Sequence, residues 1–469
     1  MDHIDADVLT ARLGRWVDGG GTLGGRLSRA VAALIESGAL PAGVRLPAER
    51  ALAHAIAVSR GTVVAAYGLL EESGLVVRRQ GSGTRVAGHA GRRAGSERHR
   101  ATAGLLAAAP AGIDLLRAVP RVSPGMTEII AAHRLIVDPV VHSEGPTLGL
   151  ADVRSRIAQV MTDDGTPTTA EQIVVTHGAQ QALHLAVSDL VSEGDIVLTE
   201  STTWPGLTDT VRARGGRVHG IRTGPDGIDL DELEAAVARL RPVLIAVVPH
   251  HHNPTGSRMP APARQRLADV AASFGVPVLE DRALASVSFD GVVPPSLASL
   301  RPDAPVLVSE SVSKWSWSSL RFGWLRADPA TVQRLRTARH LMDLSTSVPT
   351  QLLGLDVLAH ARPLRREYSL IHAESAEVLR AAVAQWLPDW ELPTVHGGLS
   401  YWAPLPAGSA SALARLAAEE GVSIAGGTEF TAAIPTDTHV RLPFTASHDD
   451  LREAARRLGS AWLRYRELL

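Results

Sequence analysis

Five short apolar runs, "QIVVT", "DIVLT", "PVLIAVV", "VPVLE" and "PVLVS", recur between residues 172 and 309. Helical stretches such as "QQALHLAVSDLVSEG" and "APARQRLADVAASFG" separate several of them. Strands that are apolar throughout, rather than on alternate residues, are buried on both faces. This alternation therefore specifies a parallel sheet covered by helices on each side. Ligands of such sheets sit beyond the carboxyl ends of the strands. The unusual residues fall there: "HGAQQ" follows the first run, "PHHHNPTG" the third, "EDR" the fourth and "ESVSK" the fifth. Clusters from four separate stretches are thereby expected to meet on one side of the sheet.

Each cluster carries its own chemistry. "HGAQQALHLAV" reads as a glycine turn opening a helix, whose free N–H groups can hold a phosphate. Ser311 and Ser313 supply hydroxyls, and Arg321 supplies a forked cation. Asp281 closes the fourth run, where a buried carboxylate needs a cationic or N–H partner such as a protonated ring nitrogen. Trp204 in "STTWPG" offers a face for stacking a ring. Asn253, the only asparagine in the chain, can donate to a ring oxygen.

The fifth run leads into Lys314, the only lysine in the chain, against 46 arginines. Arginine stays protonated and forms no stable imine, whereas a primary amine condenses with an aldehyde. A sequence that has otherwise drifted to arginine keeps a lysine where a nucleophilic amine is required. The alternative is chance survival at an indifferent position. A place beside two hydroxyls at a strand's carboxyl end, upstream of Arg321, argues against it.

The first part of the chain differs in character. The net charge of −2 conceals an asymmetry: residues 1–112 hold 14 Arg against 9 acidic residues, and the remainder 33 basic against 40 acidic. A positive end on a negative body suggests an anionic partner for that end. A helix near 48–56, a short turn through "AVS" and a helix from about Ser59 to Ser73 have helix-turn-helix spacing, with Ser59 as N-cap. "LVVRRQGSGTRVAG" then gives two strand-like runs around glycines 81 and 83, a wing. Ser59, Arg60 and Thr62 stand at the exposed start of the second helix, where base edges and phosphates are met. Pattern alone also accommodates a small protein-interaction domain. The stretch 87–112, rich in Ala, Gly and Arg, reads as a linker. Three parts are expected: 1–86, the linker 87–112, and 113–469. The absence of cysteine excludes disulfides, thiolate metal sites and cysteine nucleophiles. No apolar stretch approaches the roughly 20 residues of a spanning helix, and the first residues lack an apolar signal core. A soluble, cytoplasmic protein with no membrane partner is the expectation.

"RLPAERALA…VSRGTVVAAYGLLEESGLVVRRQGSGTRV" resembles the winged helix-turn-helix of the GntR family over almost its full length. That resemblance implies that Arg50, Arg60, Thr62 and Gly83 contact operator DNA. Residues 113–469 resemble α/β fold-type I aminotransferases, on Gly178-Ala179-Gln180, Trp204, Asn253-Pro254-Thr255-Gly256, Asp281, Ser311-Val312-Ser313-Lys314 and Arg321. The two together resemble the MocR (GabR-like) regulators. The resemblance implies that Lys314 carries pyridoxal 5′-phosphate (PLP) as a Schiff base and that Asp281 pairs with the pyridine nitrogen. It further implies that Asn253 contacts the phenolic oxygen and that Trp204 stacks on the ring. Gly178, Ala179, Gln180, Ser311, Ser313 and Arg321 would hold the phosphate. Arg441 in "THVRLPF" would bind an effector carboxylate, with a surface strand residue as the alternative. A homodimer is expected, head-to-tail being the arrangement of relatives, with two winged domains on two half-sites. The function implied is a PLP-dependent, DNA-binding transcriptional regulator that senses an amino compound by exchange at Lys314. The alternative is an active aminotransferase with an accessory DNA-binding domain.

The chain departs from that pattern. Relatives carry a tyrosine shortly after the aspartate, and here Arg282, Ala283 and Leu284 follow Asp281. Members that recognise γ-aminobutyrate have an arginine just after the stacking aromatic, and here Pro205 and Gly206 stand there. His142 lies near a position where relatives reach the neighbouring subunit. "HHH" at 250–252 suggests a metal at first sight, but alternation along a strand would bring at most His250 and His252 together, with no third ligand. No metal is expected. Trp315, Trp317 and Trp324, and the C-terminal "RRLGSAWLRYREL", read as packing.

Overall fold

Leu52, Val63, Ala66, Tyr67 and Leu70 recur at helical spacing and are fully buried, which fixes how the helices around them pack. The computed structural model describes residues 3–13, 16, 22–36, 40, 43–72, 75–79, 83–86, 102, 105, 112–135, 146–432 and 437–467. The chain divides into two compact units, Met1–Arg100 and Ala101–Leu469. The linker expected at 87–112 lies outside the described residues except at 102, 105 and 112. Gly81 and His142 lie outside them too.

In the first unit, helices Ala6–Leu13 and Leu23–Glu36 precede the pair Glu49–Ala55 and Arg60–Glu72. That pair is bent by 118°, the geometry of a helix-turn-helix. Ser59 caps the second helix: its Oγ accepts from Thr62 N at 3.1 Å. Strands β1 (Val76–Arg79) and β2 (Gly83–Val86) form the antiparallel wing hairpin, with Arg79 opposite Gly83. Tyr67 Oη donates to the Pro47 carbonyl at 2.9 Å, so the recognition helix is tied to the segment before the pair.

In the second unit, chain order gives β3 (Ile113–Leu115), β4 (Ile173–Thr176), β5 (Ile196–Glu200), β6 (Arg217–Ile221), the small pair β7 (Thr223–Gly224) and β8 (Gly227–Ile228), and β9 (Leu244–Val247). Then come β10 (Val278–Asp281), β11 (Val306–Ser311), β12 (Gly323–Arg326), β13 (Ser400–Pro404), β14 (Val422–Gly426) and β15 (His439–Pro443). The main sheet has the order β4-β12-β11-β10-β9-β5-β6. Alternate residues of its strands enter two separate cores. Val174, Val197, Leu244, Leu279 and Leu307 face one, and Val175, Leu198, Ile245, Val278 and Val308 the other. Both faces are therefore covered, as strands apolar throughout require. The second, smaller sheet, β13-β15-β14-β3, packs its core against helices Ala361–Trp386, Ala410–Glu419 and His448–Arg466.

Two expectations need correction. The main sheet is not wholly parallel, because β12 runs antiparallel to both β11 and β4. The connection it follows, residues 312–322, is shorter than the dozen or so residues that a parallel crossover needs, so the chain returns antiparallel. The histidine triplet is not on a strand either. Strand β9 ends at Val247, and His251 adopts φ +48°, so strand alternation does not set these rings.

Trp315 and Trp324 are fully buried, and the Arg365 guanidinium lies 4.7 Å from the Trp315 ring centroid. The C-terminal helix buries Leu451, Ala455, Leu458 and Trp462 along one face. Among the described residues no single helix is long and apolar enough to cross a membrane.

Candidate functional site

At the end of β4 the chain turns through His177 and Gly178 into the helix Ala179–Leu190. Gly178 has φ +93°, a region open to glycine, and a Cβ there would stand 3.3 Å from Arg321 Nη2. Arg321 reaches this turn from the loop after β11, and its Nη2 donates to the His177 carbonyl at 2.6 Å. The leading N–H groups of the helix, at Ala179 and Gln180, have no intrahelical acceptor. Ser311 and Ser313 close the cup, and the buried Ser313 Oγ has no hydrogen-bond partner. Backbone donors, two hydroxyls and a guanidinium thus converge at one turn, a donor set suited to an anion.

Lys314 follows this cup, and its Nζ donates to the Ala118 carbonyl at 2.7 Å. Burial and the Arg441 charge lower its pKa to about 8, with Asp281 opposing. Asp281 ends β10, is 8 % exposed, and accepts from Ala283 N at 3.0 Å. Burial raises its pKa to about 6, and the nearby Glu200 adds to the rise. Glu200 is itself buried: its carboxylate accepts from Val248 N at 2.6 Å and from the hydroxyls of Thr199 and Thr203 at 3.1 and 3.2 Å. His252 Nε2 stands 3.9 Å from Glu200 Oε1, and His250 Nε2 stands 3.7 Å from Glu280 Oε1. His250 and His252 thus go to different carboxylates.

Trp204 stands immediately before the helix Pro205–Ala213, and its Nε1 donates to Gln180 Oε1 at 2.9 Å. Gln180 Nε2 donates in turn to the Gly206 carbonyl at 3.0 Å. A Cβ at residue 206 would lie 2.2 Å from Trp204 Nε1 and 2.3 Å from Gln180 Oε1. With the tryptophan held this way, residue 206 has no room for a side chain. Asn253 Oδ1 accepts from Arg441 Nη1 at 3.2 Å, which leaves its amide N–H₂ for other acceptors. Arg441 is 2 % exposed, so it is a buried cation and not a surface strand residue. Burial lowers its pKa to about 10 against the pull of Glu429 and Asp114.

One cavity of about 490 Å³ gathers these groups. Ala179, Gln180, Trp204, Asn253, Asp281, Ser311, Ser313, Lys314, Arg321 and Arg441 all line it, whereas Gly178 does not and only approaches Arg321 of its lining. Ala283 and Leu284 line it where relatives carry the tyrosine. Several participants escaped the sequence reading: the Gln180 side chain, Glu200, the Ala118 carbonyl, and Thr102 and Leu105. Gln180 is expected at the phosphate through its backbone, and the bond of its side chain to Trp204 is not. The others are visible only once distant segments meet.

In the first unit, Arg50, Ser59 and Arg60 are exposed and Thr62 is half-buried. Arg60 Nε and Nη2 donate to Glu49 Oε2 at 3.2 and 3.0 Å, and Arg78 of the wing bonds the other oxygen of Glu49. One carboxylate thus fixes a guanidinium on the recognition helix and another on the wing. Gly83 has φ +82°, and a Cβ there would stand 2.8 Å from Arg45 Nε. Glycine at the wing lets this further arginine lie across it.

Residues 23–86 match the family of bacterial regulatory proteins, gntR family, and residues 126–458 match aminotransferase class I and II. A 2-aminoadipate transaminase of Thermus thermophilus is 31 % identical over 351 residues, 73 % of this chain and 87 % of that protein. The probable rhizopine catabolism regulatory protein MocR of Rhizobium meliloti is 26 % identical over 385 residues, 76 % of each chain. Among solved structures, LysN, the alpha-aminoadipate aminotransferase of Thermus thermophilus complexed with N-(5′-phosphopyridoxyl)-L-leucine, superposes with a TM-score of 0.72 at 28 % identity. That match covers 80 % of this chain and 98 % of LysN. Class I and II aminotransferases use PLP, and the residues here fit it: an unpartnered buried hydroxyl and a cation at a helix start, a buried carboxylate, and a half-buried primary amine. The chain belongs to the class I and II aminotransferases, joined in one polypeptide to a gntR-type DNA-binding domain as in MocR-type regulators.

Proposed function

We propose that this chain is a PLP-dependent, DNA-binding transcriptional regulator whose aminotransferase-like unit takes up an amino compound at Lys314. One observation carries the reading: a winged helix-turn-helix shares a polypeptide with a cavity that brings Lys314, Asp281, Asn253 and Arg441 together. When bound, PLP supplies an aldehyde that condenses reversibly with primary amines. Lys314, with a pKa lowered to about 8, presents an amine that is partly unprotonated near neutrality. Asp281 pairs with a protonated ring nitrogen, and Trp204 covers a ring face. The turn Gly178–Gln180, Ser311, Ser313 and Arg321 hold the phosphate. Arg441 orients Asn253 so that its amide donates to the ring oxygen, and Arg441 itself receives the ligand's carboxylate. The Ala118 carbonyl accepts from Lys314 Nζ at 2.7 Å and would hold that amine whenever it is not bound to PLP.

Arg50, Ser59, Arg60, Thr62 and Gly83 form the DNA-contacting set in this reading, and the protein acts as a cytoplasmic homodimer on two half-sites. The parts divide at 1–86, 87–112 and 113–469. Ligand alters DNA binding only to the extent that it binds two arrangements of the protein with different affinity. A second reading, an active transaminase, is favoured by the identity to the Thermus enzyme. The absence of a tyrosine hydroxyl at Ala283 and Leu284 weighs against it. The test is a gel-shift titration of the PLP-loaded protein on the DNA upstream of its own gene. Binding that changes with an amino compound which also shifts the visible spectrum supports the regulator. Multiple turnovers with a keto acid, without DNA binding, support the transaminase.

A further inference from the structure

We propose that the cavity takes an α-amino acid with an uncharged, apolar side chain, and that Leu105 is part of the wall that selects it. The inference deepens the reading above and rests on it.

Four basic side chains line the cavity among the described residues: Arg117, Lys314, Arg321 and Arg441. Three are already committed. Lys314 is the amine, and Arg321 belongs to the phosphate turn, where it bonds the His177 carbonyl. Arg117 carries its own counter-ion, with Nε and Nη2 each 2.6 Å from Asp114 Oδ2. His251 and His252 also line the cavity, but burial lowers both pKa values to about 4, so neither is a cation near pH 7. Arg441 remains, buried and with its Nε unpartnered, and it can bind one carboxylate.

Beside Arg441 the wall turns apolar. Its guanidinium lies 4.7 Å from the Phe430 ring centroid and donates to the Leu116 carbonyl. Phe430 and Leu116 share one apolar cluster with Leu105, Trp402 and Trp204. Leu105 is 2 % exposed and faces the cavity. Thr102, close by in sequence, donates from N and Oγ1 to Asp209 Oδ2 at 3.4 and 2.6 Å, on the helix that follows Trp204. A ligand with its carboxylate on Arg441 and its amine at Lys314 turns its side chain towards Leu105 and Leu116. A second carboxylate there would be desolvated without a partner, whereas a methyl or phenyl group only gains contact. This differs from the dicarboxylic substrate in the name of the 2-aminoadipate transaminase, whereas the LysN structure holds a leucine adduct. Leu105 also lies close to where the second unit begins, at Ala101, so the ligand's side chain meets the first stretch of chain after the DNA-binding unit.

The test titrates the PLP-loaded full chain with leucine, methionine, phenylalanine, 2-aminoadipate, lysine and 4-aminobutyrate, reading the visible spectrum. The expected result is half-saturation by leucine, methionine or phenylalanine at a concentration about tenfold or more below that of 2-aminoadipate. Equal or tighter response to 2-aminoadipate, lysine or 4-aminobutyrate overturns the inference and leaves the sensing reading intact. If no compound shifts the spectrum of protein that retains its visible band, both are overturned. In L105R the ranking should move towards 2-aminoadipate. An unchanged ranking in L105R with a wild-type unfolding temperature removes Leu105 from the wall. Should L105R not fold, L105F serves instead: it should weaken phenylalanine more than alanine, and equal responses to wild type overturn the assignment.

Discussion

The indole N–H of Trp204 donates to Gln180 Oε1 at 2.9 Å, and the same amide donates back to the Gly206 carbonyl at 3.0 Å. The second residue of the helix Ala179–Leu190 therefore also fixes the indole of Trp204, the ring proposed to cover PLP. Replacing Gln180 with Leu removes this anchor while leaving the helix start. One lost hydrogen bond of about 1 kcal/mol predicts PLP affinity lower by roughly fivefold. Fluorescence quenching of the apo-protein by added PLP measures it, and an unchanged Kd contradicts the role.

Gly206→Ala should act on the same contact from the other side. With a Cβ 2.2 Å from the indole nitrogen, the ring has to move. Overpacking of this kind costs about 1–3 kcal/mol. A lower unfolding temperature together with weaker PLP binding is expected, and a variant indistinguishable from wild type in both would show that Trp204 is not held there.

The amine of Lys314 has its pKa lowered to about 8 by burial and the Arg441 charge. Below that pH its free-base fraction falls about tenfold per unit. The rate of PLP uptake should therefore climb with pH up to about 8 and then level. In Arg441→Ala a depressing charge is gone, so the rise should extend to higher pH. Stopped-flow absorbance resolves both profiles, and coincident curves would remove Arg441 from the neighbourhood of the amine.

Arg60 is exposed at the start of the recognition helix and aimed by Glu49. Arg60→Ala should weaken binding to operator DNA about tenfold and reduce the salt dependence by about one counterion. Equal affinity at two salt concentrations in gel-shift assays would refute this docking surface.

Much of the site was legible because its residues stand at the ends of short apolar runs, where one-dimensional order already implies one side of a sheet. Asp281 and Ser311 end their strands, Lys314 comes three residues after β11, and Asn253 lies in the loop after β9. What stayed hidden depends on contacts between distant segments. β3, only Ile113–Leu115, becomes a strand by pairing with Val422–Ile424. Strand β12 reads as a brief "GWLR", and only the short connection before it dictates its antiparallel course. Leu105 sits in "ATAGLLAAAPAG", whose composition suggests a linker, and its burial comes from Trp402 and Phe430 far along the chain. The histidine triplet misled because an apolar run preceding it suggested a longer strand than β9.

Lys314 is the only lysine, so a reducible bond to PLP can form at one side-chain ε-amine alone. Borohydride reduction of the PLP-loaded protein, followed by intact mass and peptide mapping, tests the central claim most directly. The expected result is one phosphopyridoxyl group, on the peptide containing Lys314, and none in a folded Lys314→Ala variant. Loss of the label to the N-terminal amine, or a protein that stays unmodified and colourless after saturation with PLP, would contradict it.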